Sequence, residues 1–135
     1  MVIPYVREFF EHVNRVSEYH IIFHSCGSIY QYIPDLIDAG VRILNPVQIG
    51  ARNMEAEKLK REFGRDIVFW DGAVNPQQVL AFGTPEQIKG EARNNIEEFK
   101  KGGGFVFANV YNVQAIVKPE NVVALYDAAY DFGGY

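Results

Sequence analysis

The chain has 135 residues, 48% of them apolar, a formal charge of -4, three histidines and a single cysteine. That length and apolar content suit one domain with a real core, and the lack of a lysine or arginine cluster argues against nucleic acid or an anionic membrane as partner. One cysteine excludes an intramolecular disulfide framework, and no apolar run is long enough for a membrane span or a signal-peptide core, so a soluble cytoplasmic protein is expected.

Residues 1–19 predict a helix with Val6, Phe9, Phe10, Val13 and Val16 on its buried face. From there one grammar repeats four times: a short β-branched or aromatic run, a loop rich in Gly, Asn, Pro or Asp, then an amphipathic stretch. The expected strands are residues 20–24, 41–45, 66–70 and 104–109. Each is a near-continuous apolar run, which suits a parallel sheet covered by helices. Between the first two, residues 28–38 carry Ile29, Ile33, Leu36 and Ile37 at helical spacing, interrupted by Pro34, which implies a kink or two short helices before Gly40 stops them. Residues 53–63 form the next helix, with Asn53 as cap candidate, Met54, Leu59 and Phe63 facing inward, and Gly64 closing it. Thr84-Pro85-Glu86-Gln87 is a capping box with proline at the first helical position, opening a helix through Phe99. Gly102-Gly103-Gly104 ends that helix, and Pro119 starts a last one over residues 119–129.

The result is a helix followed by four βα units in a single domain. A (β/α)8 TIM barrel typically needs ~250 residues, so the chain reads as half of one. Four parallel strands leave two unpaired edges and one face without its inner packing partners. The expectation is a homodimer or pairing with a complementary N-terminal half-barrel chain. A flavodoxin-like open sheet, with helices on both faces, is the alternative.

In barrels the residues at strand C-termini line the catalytic mouth. Here these are His24, Ser25 and Cys26; Asn45, Pro46, Val47 and Gln48; Asp71, Gly72, Asn75 and Gln77; and Asn109, Tyr111, Asn112 and Gln114. His24 and Cys26, two residues apart, project toward the same side, and both suit Zn²⁺. They would equally fit a buried thiol and a strand-end histidine hydrogen-bonded to backbone, because a catalytic zinc wants three protein ligands and a structural one four. Asp71 is a general-base candidate or, before Gly72, a turn former. Asn75 and Gln77 are substrate-binding candidates, and Asn75 alternatively caps a turn ahead of Pro76. Tyr111 is a site phenol or a packing ring. Gly102 to Gly104 precede their strand and so lie at the stability face, which excludes a phosphate-loop role.

His24-Ser25-Cys26-Gly27, Leu44-Asn45-Pro46-Val47-Gln48, Lys60-Arg61-Glu62-Phe63-Gly64, Gly83-Thr84-Pro85-Glu86 and Pro119-Glu120-Asn121-Val122, in that order and spacing, resemble the uroporphyrinogen decarboxylase superfamily. The resemblance spans essentially the whole chain and corresponds to the C-terminal half of the family's barrel. It implies one of two activities: cofactor-free decarboxylation of the acetate arms of a porphyrinogen in haem biosynthesis, or zinc-dependent methyl transfer between a corrinoid protein and a small-molecule thiol. The His24-x-Cys26 pair resembles the methyltransferase branch, where it supplies two zinc ligands and a cysteine after the last strand supplies the third. The corresponding loop here has no cysteine, and Tyr111 and Asn112 stand nearest that position. On this reading Cys26 and His24 are catalytic and Asn45, Gln48 and Asn75 orient substrate. In the decarboxylase reading Asp71 and Tyr111 line a tetrapyrrole pocket, with Tyr111-Asn112 in place of that branch's His-Gly pair. A third possibility is a non-catalytic module that completes a barrel with another chain.

Overall fold

The computed structural model describes residues 3–134. Met1 and Val2, where the first helix is expected to start, lie outside the described residues. The elements are α1 (Ile3–Val16), β1 (Ile21–His24), a 3₁₀ turn (Tyr30–Tyr32), α2 (Ile33–Asp38), β2 (Val41–Asn45), α3 (Ala56–Phe63), β3 (Val68–Trp70), a π turn (Pro76–Leu80), α4 (Pro85–Phe99), β4 (Phe105–Val106) and α5 (Pro119–Phe132). The interruption expected at Pro34 is the junction of the 3₁₀ turn with α2, where the proline occupies the first turn and needs no backbone donor.

All four strands are parallel and lie in sequence order, β1-β2-β3-β4. The register aligns Phe23 with Leu44, Leu44 with Phe69, and Phe69 with Phe105. This row enters the main core with Ile33, Leu36, Leu59 and Phe99 from the helices. Successive strand residues point to opposite faces. The other face accordingly carries Ile22, Ile43 and Val68, then His24, Asn45, Trp70 and Val106. Ile22 is 52% and Val106 37% exposed there. Strands in consecutive order with helices against one face are the arrangement of a half (β/α)8 barrel. The flavodoxin-like alternative is thereby corrected, since a doubly wound sheet reverses its strand order and carries helices on both faces.

Several element ends differ from the sequence expectation for local reasons. The third strand starts at Val68, not Asp66, because the N–H groups of Asp66 and Ile67 still bond the Phe63 carbonyl at 2.9 and 3.2 Å as the chain unwinds from α3. The fourth is two residues long where residues 104–109 were expected. Gly104 has φ +73, outside the extended region, and from Phe107 the chain turns to pack against a second core. Asn53 does not cap α3; it sits at φ 63 and accepts from Lys58 Nζ at 3.2 Å, while Glu55 takes the cap position without a side-chain bond. In α1, Phe10 packs edge-on to Phe23 at 6.1 Å, but Phe9 and Val16 are 62% and 65% exposed, so the expected apolar face is only partly buried. The last helix continues past Ala129 to Phe132, which packs on the second core formed by α4, α5 and the π turn.

The capping box holds as expected. Gln87 N–H donates to Thr84 Oγ1 at 3.3 Å, and Thr84 N–H donates back to Gln87 Oε1 at 2.9 Å. Thr84→Ala is expected to lower unfolding free energy by about 1 kcal/mol, measured by urea denaturation. An unchanged midpoint would show that α4 starts independently of this cap.

Candidate functional site

The register that aligns His24 with Asn45 puts their side chains next to each other on the helix-free face. His24 Nδ1 lies 2.7 Å from Asn45 Oδ1, and Asn45 Nδ2 donates to Asp71 Oδ2 at 3.1 Å. Asp71 reaches this position because its backbone takes φ 88, unusual for a residue other than glycine, while its N–H stays on the Val106 carbonyl at 3.0 Å. A carboxylate only accepts hydrogen bonds, so Asp71 orients the Asn45 amide with its nitrogen inward. The amide oxygen then faces His24, which places the imidazole proton on Nδ1. Nε2 is left with its lone pair toward Cys26 Sγ, 3.9 Å away. Cys26, His24, Asn45 and Asp71 thus form one chain of contacts across the ends of three strands.

Asp71 is only 6% exposed. Burial pushes its carboxyl up to about 6; the Asn45 hydrogen bond, and the His24 ring whenever it is protonated, pull the other way. Cys26, by contrast, is exposed, which corrects the reading of it as a buried thiol.

Cys26 also lines a cleft of about 530 Å³ at the same end of the sheet, together with Gln48, Gln77, Phe82, Tyr111 and Gln114. Gln48 Oε1 accepts from Gly27 N–H at 2.8 Å, which ties the β2 loop to the turn after Cys26. Gln114 Nε2 donates to the Asn112 carbonyl at 2.9 Å. Of the residues expected to bind substrate, Asn45, Gln48 and Gln77 lie in the network or the cleft. Asn75 has its amide oxygen committed to Gln77 N–H and Gln78 N–H at 3.0 and 3.2 Å, the turn-capping role raised as its alternative. Asn112 is exposed and outside the cleft wall. Tyr111, 57% exposed, lines the cleft and does not serve as a core ring. The sequence reading missed Phe82 and Ile116, which border the cleft; the one available signal was an aromatic residue directly ahead of the Gly83-Thr84 helix start.

A larger cavity of about 950 Å³ lies at the opposite strand ends, lined by residues including His20, Arg42, Lys60 and Gly102 to Gly104. Lys60 Nζ donates to the Gly103 carbonyl, and partial burial lowers its pKa. None of the strand-end candidates reaches this cavity.

The donor chemistry bears on zinc. Ordinary Zn–S and Zn–N lengths at a tetrahedral angle put the two donors about 3.6 Å apart, close to the 3.9 Å between Sγ and Nε2. The Asn45 contact on Nδ1 is the outer support that a ligating histidine ordinarily has. Among the described residues, however, no three His, Cys, Asp or Glu side chains gather closely enough to hold a metal. His24 and Cys26 fit two corners of a site, and a third protein ligand would have to come from elsewhere. No helix among the described residues is long and apolar enough to cross a membrane.

The family model for uroporphyrinogen decarboxylase (URO-D) matches residues 1–132. The uroporphyrinogen decarboxylase of Methylococcus capsulatus is 36% identical over 67 residues, covering 50% of this chain and 19% of that relative. With the parallel half-barrel sheet, the match over nearly the whole chain establishes that the protein belongs to the uroporphyrinogen decarboxylase family.

Proposed function

We propose that the chain forms the C-terminal half of a URO-D-type barrel whose Cys26–His24 pair holds a zinc ion for methyl transfer from a corrinoid protein to a small-molecule thiol. The observation that supports this is the placement of Nε2 and Sγ 3.9 Å apart with Nδ1 already held by Asn45. The remaining ligand and the missing inner layer of the barrel would come from a complementary half or a second copy in the cytoplasm. When bound, zinc would favour the thiolate form of the thiol substrate, the nucleophile that methyl transfer needs. This chain's residues do the rest: Cys26 and His24 provide donors, Asn45 fixes the imidazole tautomer, and Gln48 and Gln77 orient the substrate in the cleft.

Metal analysis of purified protein at neutral pH, together with native mass, tests the reading. About one zinc per chain is expected in the assembled form, lost in Cys26→Ser and His24→Ala with circular dichroism unchanged. Metal content that is indifferent to both substitutions would refute the site.

A second reading, decarboxylation of a porphyrinogen, draws on the buried Asp71 carboxylate and on the name of the Methylococcus relative. A ring of pyrrole N–H groups needs such an acceptor. Porphyrin absorbance that co-purifies with the protein and is lost in Asp71→Ala would favour it over zinc chemistry.

A further inference from the structure

From the lining of the cleft beside Cys26, we infer that it selects an uncharged, flat small molecule carrying both a hydrogen-bond donor and an acceptor. This rests on the proposed site for its location and adds the class of molecule admitted there.

Among the described residues, no Asp, Glu, Lys, Arg or His lines the cleft; apart from the Cys26 thiol and the Tyr111 phenol, its polar side chains are all carboxamides. Gln48 has its oxygen occupied by Gly27 N–H, which leaves its amide nitrogen to donate. Gln114 has its nitrogen occupied by the Asn112 carbonyl, which leaves its oxygen to accept. The rest of the wall is apolar: the exposed rings of Phe82 and Tyr111, with Val110 and Ile116 beside them. Two accessible rings on one cleft favour a flat occupant that can lie against them. A carboxylate, ammonium or amidinium moved into such a lining loses water and finds no opposite charge, whereas a neutral amide or ether keeps its hydrogen bonds. At about 530 Å³ the cleft has the size of an ordinary small-molecule site. A porphyrinogen bearing several acetate arms is poorly served by this wall.

Three probes of the same shape and different charge test the inference: benzamide, benzoate and benzamidinium. Each is titrated at pH 7 into the full ¹⁵N-labelled chain in the presence of a chelator, with the side-chain amide signals followed by NMR. Benzamide is expected to shift the Gln48, Gln77 and Gln114 signals and to bind about tenfold or more tightly than either ion. Phe82→Ala, at a ring 71% exposed, should weaken benzamide binding several-fold without disturbing the fold. Gln77→Lys, at another exposed position, should reverse the order in favour of benzoate. The inference is overturned if either ion binds the parent protein as tightly as benzamide, if benzamide shifts signals elsewhere, or if it does not bind in the millimolar range. Because the chelator removes metal throughout, benzamide binding by a protein that never takes up zinc would uphold the cleft and refute only the metal reading.

Discussion

Phe99→Ala is expected to destabilise the protein by about 3–5 kcal/mol, a large share of the roughly 5–15 kcal/mol that holds a domain together. Phe99 is fully buried at the end of α4. Its ring lies 5.2 Å from Phe69 on β3 and stacks at 5.0 Å on Phe105 of β4. One side chain therefore joins a helix to two strands, one of which has only two residues in the ladder. The same ring bounds the turn that carries Asp71. A Cβ added at Gly72, where φ is +86, would lie 2.9 Å from Phe99 Cε2 and 3.4 Å from Val47 Cβ. Removing the ring opens a cavity beneath that turn, so the variant should also lose the ordered signals of Asp71 and Asn45 before it unfolds globally. Guanidinium denaturation measures the first effect and amide hydrogen exchange the second. A loss under about 1 kcal/mol, well below the usual cost of an emptied aromatic site, would show that α4 and the sheet are held together elsewhere.

What could be read from the sequence depended on how local each cause is. The Thr84–Gln87 capping box involves four adjacent residues whose chemistry determines their own geometry, and it is found as expected. The parallel strands were legible because runs such as Ile21-Ile22-Phe23 and Val41-Arg42-Ile43-Leu44 are β-branched or aromatic enough to read as strands. The early end of the fourth strand was not, because the turn of the chain at Phe107 toward α5 is decided by a packing partner on a distant helix. The site divides in the same way. His24, Cys26, Asn45, Gln48 and Asp71 were located by the rule that strand ends carry chemistry. Their connection was hidden, since the His24–Asn45 and Asn45–Asp71 contacts join residues 21 and 26 positions apart and follow from sheet register. Asp71-Gly72 illustrates the limit: the pair carries the signature of an ordinary surface turn, yet the aspartate is 6% exposed.

That burial leads to the other large effect. Asp71→Asn is expected to make the protein more stable than the parent above pH 6 and nearly equal to it at pH 4. The ordinary aspartate value is 3.8, and in the folded protein burial raises it to about 6. Between those two values the folded state binds the proton and the unfolded state has released it. The parent's stability therefore falls as pH rises through this window, and the loss is complete above the folded value. Taken at full weight the gap is worth ~3 kcal/mol, and with partial solvent screening about 1–3 kcal/mol. Asparagine keeps an oxygen for Asn45 Nδ2 and tolerates the positive φ at this position, so the substitution removes the charge with little else. The Asn45 hydrogen bond, and the His24 ring when it is protonated, are what oppose the shift. Thermal unfolding of both proteins at half-unit steps from pH 4 to 8 measures the difference, and parallel profiles would overturn it. A carboxylate kept ionised at neutral pH against a burial penalty, in a strained backbone conformation, is unfavourable for folding alone. Its position three contacts from Cys26 places that cost where it organises the Asn45 amide and, through it, the imidazole of His24.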